Sequence, residues 1–143
     1  MVPSPFISYL KYLWRAKDSH SVHSPFVFRF LCLCIHKVSK VSKQSALEVY
    51  LNALQNYLKD FNIAVTVLEN ADKEQSENTF AAPNDHCFFI SDIHKNKQSE
   101  QYWSGVIQDK NIQISIDFWS FGLIFMKKNQ EKEHFILFKR PWR

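Results

Sequence analysis

A few places in this chain set side by side residue types that do chemistry. His20 and His23 stand three apart beside Asp18, a spacing that could present two imidazoles to a metal from one helical turn. Their setting is a Ser-rich break before Pro25, which suits capping or hydrogen bonding better, so no metal is expected there. Asp92 and His94 follow a short apolar run at residues 87–90. Such a run reads as a buried strand, and α/β folds place ligands and catalytic groups beyond the carboxyl ends of their strands. Glu69 closes the β-branched run 63–68, where an acid can accept hydrogen bonds from ribose hydroxyls. Phe118, Trp119 and Phe121 form an aromatic cluster that reads as sheet core or interface, not as a base-stacking platform.

The elements that must position these groups follow from spacing and punctuation. Ser4-Pro5 and Ser24-Pro25 each read as an N-cap followed by proline at the first helical position. Phe6, Leu10, Leu13 and Trp14 recur at helical spacing after the first, with Lys11, Arg15 and Lys17 on the other side. Phe26, Phe30, Cys34 and Val38 mark one face of the second helix. Ser45-x-x-Glu48 is a capping box opening a third, with Leu47, Tyr50, Leu51, Leu54 and Leu58 as its apolar positions. Strands are expected at 63–68, 87–90, 112–117, 121–126 and 135–138, with a helix carrying Tyr102, Trp103, Val106 and Ile107 between the second and third. Residues 70–85 are polar, with room for one helical turn before Pro83.

At 143 residues the chain is expected to be one domain: an N-terminal helical region, 1–43, and a reduced α/β core, 44–143. Hydrophobic residues make up 45% of it, enough for a packed core. No apolar run is long enough to span a bilayer and no secretory signal opens the chain, so a cytoplasmic protein without membrane contact is expected. Cys32, Cys34 and Cys87 are expected as buried, reduced thiols. Charge is uneven: residues 1–43 hold seven Lys/Arg against one acid, while the middle is acidic and the tail basic again. Solvated helix and turn charge explains that pattern, and no arginine-rich run or RNA motif accompanies it.

Glycine is the scarcest residue that matters. Gly105 is the first and Gly122 the second and last. Nucleotide-type cofactors bound in a strand–loop–helix crevice need glycines where backbone turns tightly against the ligand. There is no Gly-x-Ser-x-Gly elbow for a serine hydrolase and no Walker-type phosphate loop.

Residues 9–28, with the core His-Ser-Pro-Phe-Val-Phe at 23–28, resemble the opening of a bacterial family of class I S-adenosylmethionine-dependent methyltransferase-like proteins. Residues 87–138 resemble the end of the same family. There a strand runs into Asp92-Ile93-His94, a helix carries Trp103, and Ile116-Asp117-Phe118 precedes residues 121–125 (Phe-Gly-Leu-Ile-Phe) and the final Lys-Glu-His-Phe strand. The resemblance implies a truncated Rossmann-like methyltransferase sheet with N-terminal helices and an antiparallel C-terminal strand cluster. The family's glycine-rich cofactor loop has no counterpart in residues 39–86. The expected function is therefore a degenerate methyltransferase-like domain without S-adenosylmethionine binding, serving as a structural or protein-interaction module. If activity survives, the resemblance assigns Glu69 to the cofactor ribose and Asp92 and His94 to the acceptor, with Asn70 standing in for a left-handed glycine. The family's metal-binding relatives carry two polar residues after a strand; Ser91-Asp92 stands there, and no metal is expected. A third alternative is nucleic-acid binding through Lys11, Arg15, Lys17, Arg29, Lys37, Lys40 and Lys43, though nucleic acid is not the expected partner. Missing strands should leave an unpaired sheet edge, so a homo-oligomer or a protein partner using the aromatic-rich strands is expected.

Overall fold

The computed structural model describes residues 5–16, 25–38, 46–68, 85–126 and 132–139. Helix α1 spans Pro5–Arg15 and α2 spans Pro25–Phe30, each with the expected proline at its first position. The second helix does not stop there. It widens into a π-helical turn, Leu31–Ile35, marked by the His36 N–H donating to the Leu31 carbonyl at 2.8 Å. The wider turn brings Leu31, Cys34 and Ile35 inward together with Phe30. Helix α3 spans Ala46–Lys59; Ser45 of the expected capping box lies outside the described residues, as do Asp18, His20, His23, Glu69 and Asn70.

Five strands form one mixed sheet: β1 Ala64–Leu68, β2 His86–Ser91, β3 Ile114–Asp117, β4 Phe121–Met126 and β5 Glu133–Ile136, in the order β1-β2-β4-β3-β5. Helix α4, Lys97–Ile107, lies between β2 and β3 in sequence. Its N-cap is Asn96, whose side chain accepts the Ser99 N–H at 2.8 Å.

One expectation is corrected here. The C-terminal strands are only partly an antiparallel cluster: β3 and β4 pair antiparallel, but β5 does not follow them. Strand β4 runs antiparallel to both its neighbours, β2 and β3, and is buried along its whole length. Strand β5 is parallel to β3. The reason is geometric. After β3 and the reversed β4, a strand reached by a short connection must run in the β3 direction again. Both sides of β4 are taken, so β5 adds to the free side of β3 and lies parallel to it. The aromatic-rich strands β2 and β4 are thus interior, and β1 and β5 are the outer strands among the described residues.

Alternation along the strands makes two cores. Cys87, Phe89, Ile114, Ile116, Phe121, Leu123 and Phe125 face α2, the π turn and α3, packing on Phe30, Leu31, Leu54 and Leu58. Phe88, Ile90, Ile124 and Met126 face α4, packing on Trp103 and Val106. Gly122 is needed on that second face: a Cβ there would lie 2.5 Å from the Trp103 ring. Neither glycine makes a turn. Among the described residues, those in the left-handed region are Asn62, Asp92 and Trp119, at φ of 57°, 57° and 73°.

Candidate functional site

Strands β2 and β3 run in the same direction, so Ser91 and Asp117 finish at the same end of the sheet. Asp117 is a carboxylate at the end of a four-residue strand that is buried throughout. In β3 Ile114 and Ile116 face one core, so Ser115 and Asp117 face the α4 side. There the His94 Nε2–H donates to Asp117 Oδ2 at 2.6 Å. The other carboxylate oxygen, Oδ1, accepts the Trp119 N–H at 2.7 Å. The Trp119 ring stacks on the imidazole, with centroids 4.4 Å apart and planes 11° from parallel. The remaining ring nitrogen, His94 Nδ1, is buried without a hydrogen bond and lies 3.7 Å from Glu100 Oε2 on α4.

Asp92 acts here through its backbone. Its left-handed φ turns the chain out of β2, and its N–H donates to the Ser120 carbonyl at 2.9 Å. An Asp tolerates this conformation; a Trp rarely adopts it, so Trp119 is the true outlier. It is held by the Asp117 bond and by contacts with three rings. Tyr9 and Tyr12 of α1 have ring centroids 5.0 and 5.5 Å from its own. Tyr12 is itself fixed, its hydroxyl donating to the Leu137 carbonyl at 2.6 Å. Burial, reinforced by the Asp117 charge, pushes the Tyr12 phenol well above its ordinary pKa, so it remains a donor. Lys139 Nζ donates to Ser120 Oγ at 2.8 Å. The ends of the described chain therefore meet at this one turn.

The structure brings His94 to Asp117 and Glu100, and gives Asp92 a backbone role beside them. Glu69 lies outside the described residues. Sequence reading missed Asp117, Glu100 and Trp119 as site residues. For Asp117 a signal existed: one acid closing a run of otherwise buried-type residues, Ile114–Asp117, has to find partners.

Chemically, a histidine oriented by a buried carboxylate is half of a general-base arrangement. The other half is an open path to the second nitrogen. Here Nδ1 is buried, Glu100 faces it, and Trp119 covers a ring face. Among the described residues, no group of three or more His, Cys, Asp or Glu side chains is placed to hold a metal ion. A cavity of about 330 Å³ lies elsewhere, in the other helical layer, lined by Leu33, Cys34, Lys37 and Tyr57 among others. Among the described residues, no helix is long and apolar enough to cross a membrane.

The fold and site together define a mixed α/β protein with a His–Asp pair at the carboxyl ends of its parallel strands. No family model, curated protein or solved structure matches the chain.

Proposed function

We propose that this chain is a methyltransferase-like α/β domain that has lost S-adenosylmethionine binding and serves as a structural or protein-interaction module. One observation carries the reading: the carboxyl ends of β2 and β3 are occupied by the chain's own groups. Trp119 lies on His94, His94 is bonded to Asp117, and the Asp92 N–H is tied to the Ser120 carbonyl. A nucleotide-type cofactor would need backbone brought close to it at this end, through residues without a side chain. The turn here is made by Asp and Trp instead. Partner binding then falls to the outer strands β1 and β5, of which β1 carries no charged residue to discourage strand addition. Calorimetry with S-adenosylmethionine and S-adenosylhomocysteine tests this. We expect no binding heat from either, and a stoichiometric heat at micromolar concentration overturns the reading.

The 2.6 Å His94–Asp117 bond favours one alternative, an active methyltransferase in which His94 serves as base toward an acceptor hydroxyl. On that reading Glu69 holds the ribose and Asp92 lies beside the acceptor. The same titration separates the two, because activity requires the cofactor to bind.

A further inference from the structure

Eight large apolar side chains remain exposed among the described residues, and four of them belong to α1: Tyr9 at 40%, Leu10 at 48%, Leu13 at 40% and Trp14 at 90%. Helix α3 is also amphipathic, but it buries its apolar face through Tyr50, Leu54 and Leu58. The α1 stripe is open to solvent at Leu10, Leu13 and Trp14, while Tyr9 at its edge also touches Trp119. At about 100° per residue, Leu10 and Leu13 straddle its centre and Tyr9 and Trp14 border it about 70° to either side. Tyr12, which holds the helix to the Leu137 carbonyl, lies about 130° round from that centre. Lys11 and Arg15 continue beyond Trp14 and are exposed. The helix contains no acid.

Aliphatic centre, aromatic borders and a basic remainder make the composition of a helix that lies in a membrane interface. A border Trp suits such a place, since its ring body prefers apolar contact while its N–H stays wet. We propose that α1 docks the protein on an anionic phospholipid bilayer, with Leu10, Leu13 and Trp14 inserted, Lys11 towards the headgroups and Arg15 on the far side adding to the attraction. The charge argues for this occupant over a second copy. Helix α1 carries two basic residues, Lys11 and Arg15, and no acid, which complements anionic lipid. Two copies of α1 would bring together helices that both lack an acid. Such docking requires no membrane span, and it would replace the expectation of no membrane contact. Docking does not rest on the function proposed above, although Tyr9 also touches Trp119.

The full chain is mixed with vesicles of phosphatidylcholine alone or with phosphatidylserine, and followed by co-sedimentation and tryptophan emission. We expect sedimentation with the anionic vesicles only, weakening as salt rises, and an emission blue shift that disappears in Trp14→Phe. Replacing Leu10→Gln and Leu13→Gln together should weaken partitioning about tenfold or more without lowering the melting temperature. Replacing Lys11→Glu and Arg15→Glu should remove the preference for anionic lipid. Failure to sediment with anionic vesicles overturns the proposal. So does unchanged partitioning of the double-Gln variant, or a dimer in light scattering that the same variant dissociates.

Discussion

Replacing Asp117→Ala tests whether the His94–Asp117–Trp119 unit is a buried clamp or a surface ion pair. The Asp117 side chain is 7% exposed and that of His94 is 15% exposed. Alanine removes the acceptor of two bonds, from His94 Nε2 at 2.6 Å and from the Trp119 N–H at 2.7 Å. Each orphaned donor costs about 1–3 kcal/mol, and breaking a buried pair from one side costs about 3–5 kcal/mol. We therefore expect a loss of about 3–5 kcal/mol, or about 10–20 °C in melting temperature for a chain of this size. Asp117→Asn keeps a carbonyl for the Trp119 N–H and exchanges a charge-assisted bond for a neutral one, so about 1–2 kcal/mol is expected. Urea titration by far-ultraviolet circular dichroism measures both, with an unchanged m-value as the control. Combining Asp117→Ala with His94→Ala should cost at least about 1 kcal/mol less than the two separate losses added. A loss below about 1 kcal/mol for Asp117→Ala, the worth of an exposed pair, would refute the clamp.

The two glycines should respond in opposite directions, as urea titration will show. Gly105 lies in α4 with nothing within 4 Å of an added Cβ, so Gly105→Ala should stabilise by about 0.5–1 kcal/mol. Gly122→Ala would press a methyl to 2.5 Å from the buried Trp103 ring and should destabilise by about 2–3 kcal/mol. Thiol labelling of the native protein at mildly alkaline pH should modify Cys32, the half-buried thiol, well ahead of the other two. Burial pushes Cys34 up to about 12, and burial together with its neighbour Cys34 pushes Cys87 well above the ordinary thiol range. All three should react in denaturant, whereas equally fast reaction in the native state would contradict the packing of the π turn against β2.

Two helix starts were legible because proline acts locally, and Pro5 and Pro25 do open α1 and α2, while the serines before them lie outside the described residues. Strand positions were legible from β-branched and aromatic runs, although β5 lies at Glu133–Ile136, two residues before the expected 135–138. The parallel course of β5 was not legible, since it follows from which sides of β4 are already paired. His94 stood out through its place after an apolar run. Its partner Asp117 lies 23 residues further on, and no local pattern reports that β2 and β3 end side by side. The π turn was hidden as well, because Phe26, Phe30, Cys34 and Val38 fit an ordinary helix and nothing marks where the winding loosens.

Glycine scarcity takes on a physical meaning at Trp119. A left-handed conformation costs a residue with a Cβ about 1–2 kcal/mol, a penalty that glycine would avoid. At Trp119 the N–H bond to Asp117, stacking on His94 and an edge-to-face contact with Tyr9 offset that cost, each contact contributing about 0.5–1.5 kcal/mol. A turn stabilised in this way is fixed by what its side chain touches. A glycine turn leaves its backbone bare and a ligand can approach it. The Trp119 turn keeps its shape only while its ring fills the space above His94. Trp119→Gly should then relieve the backbone and still destabilise the protein, because the lost ring contacts exceed the relief. Urea titration of that variant decides the point: greater stability than wild type would mean that the ring is dispensable and that this end of the sheet can open to a ligand.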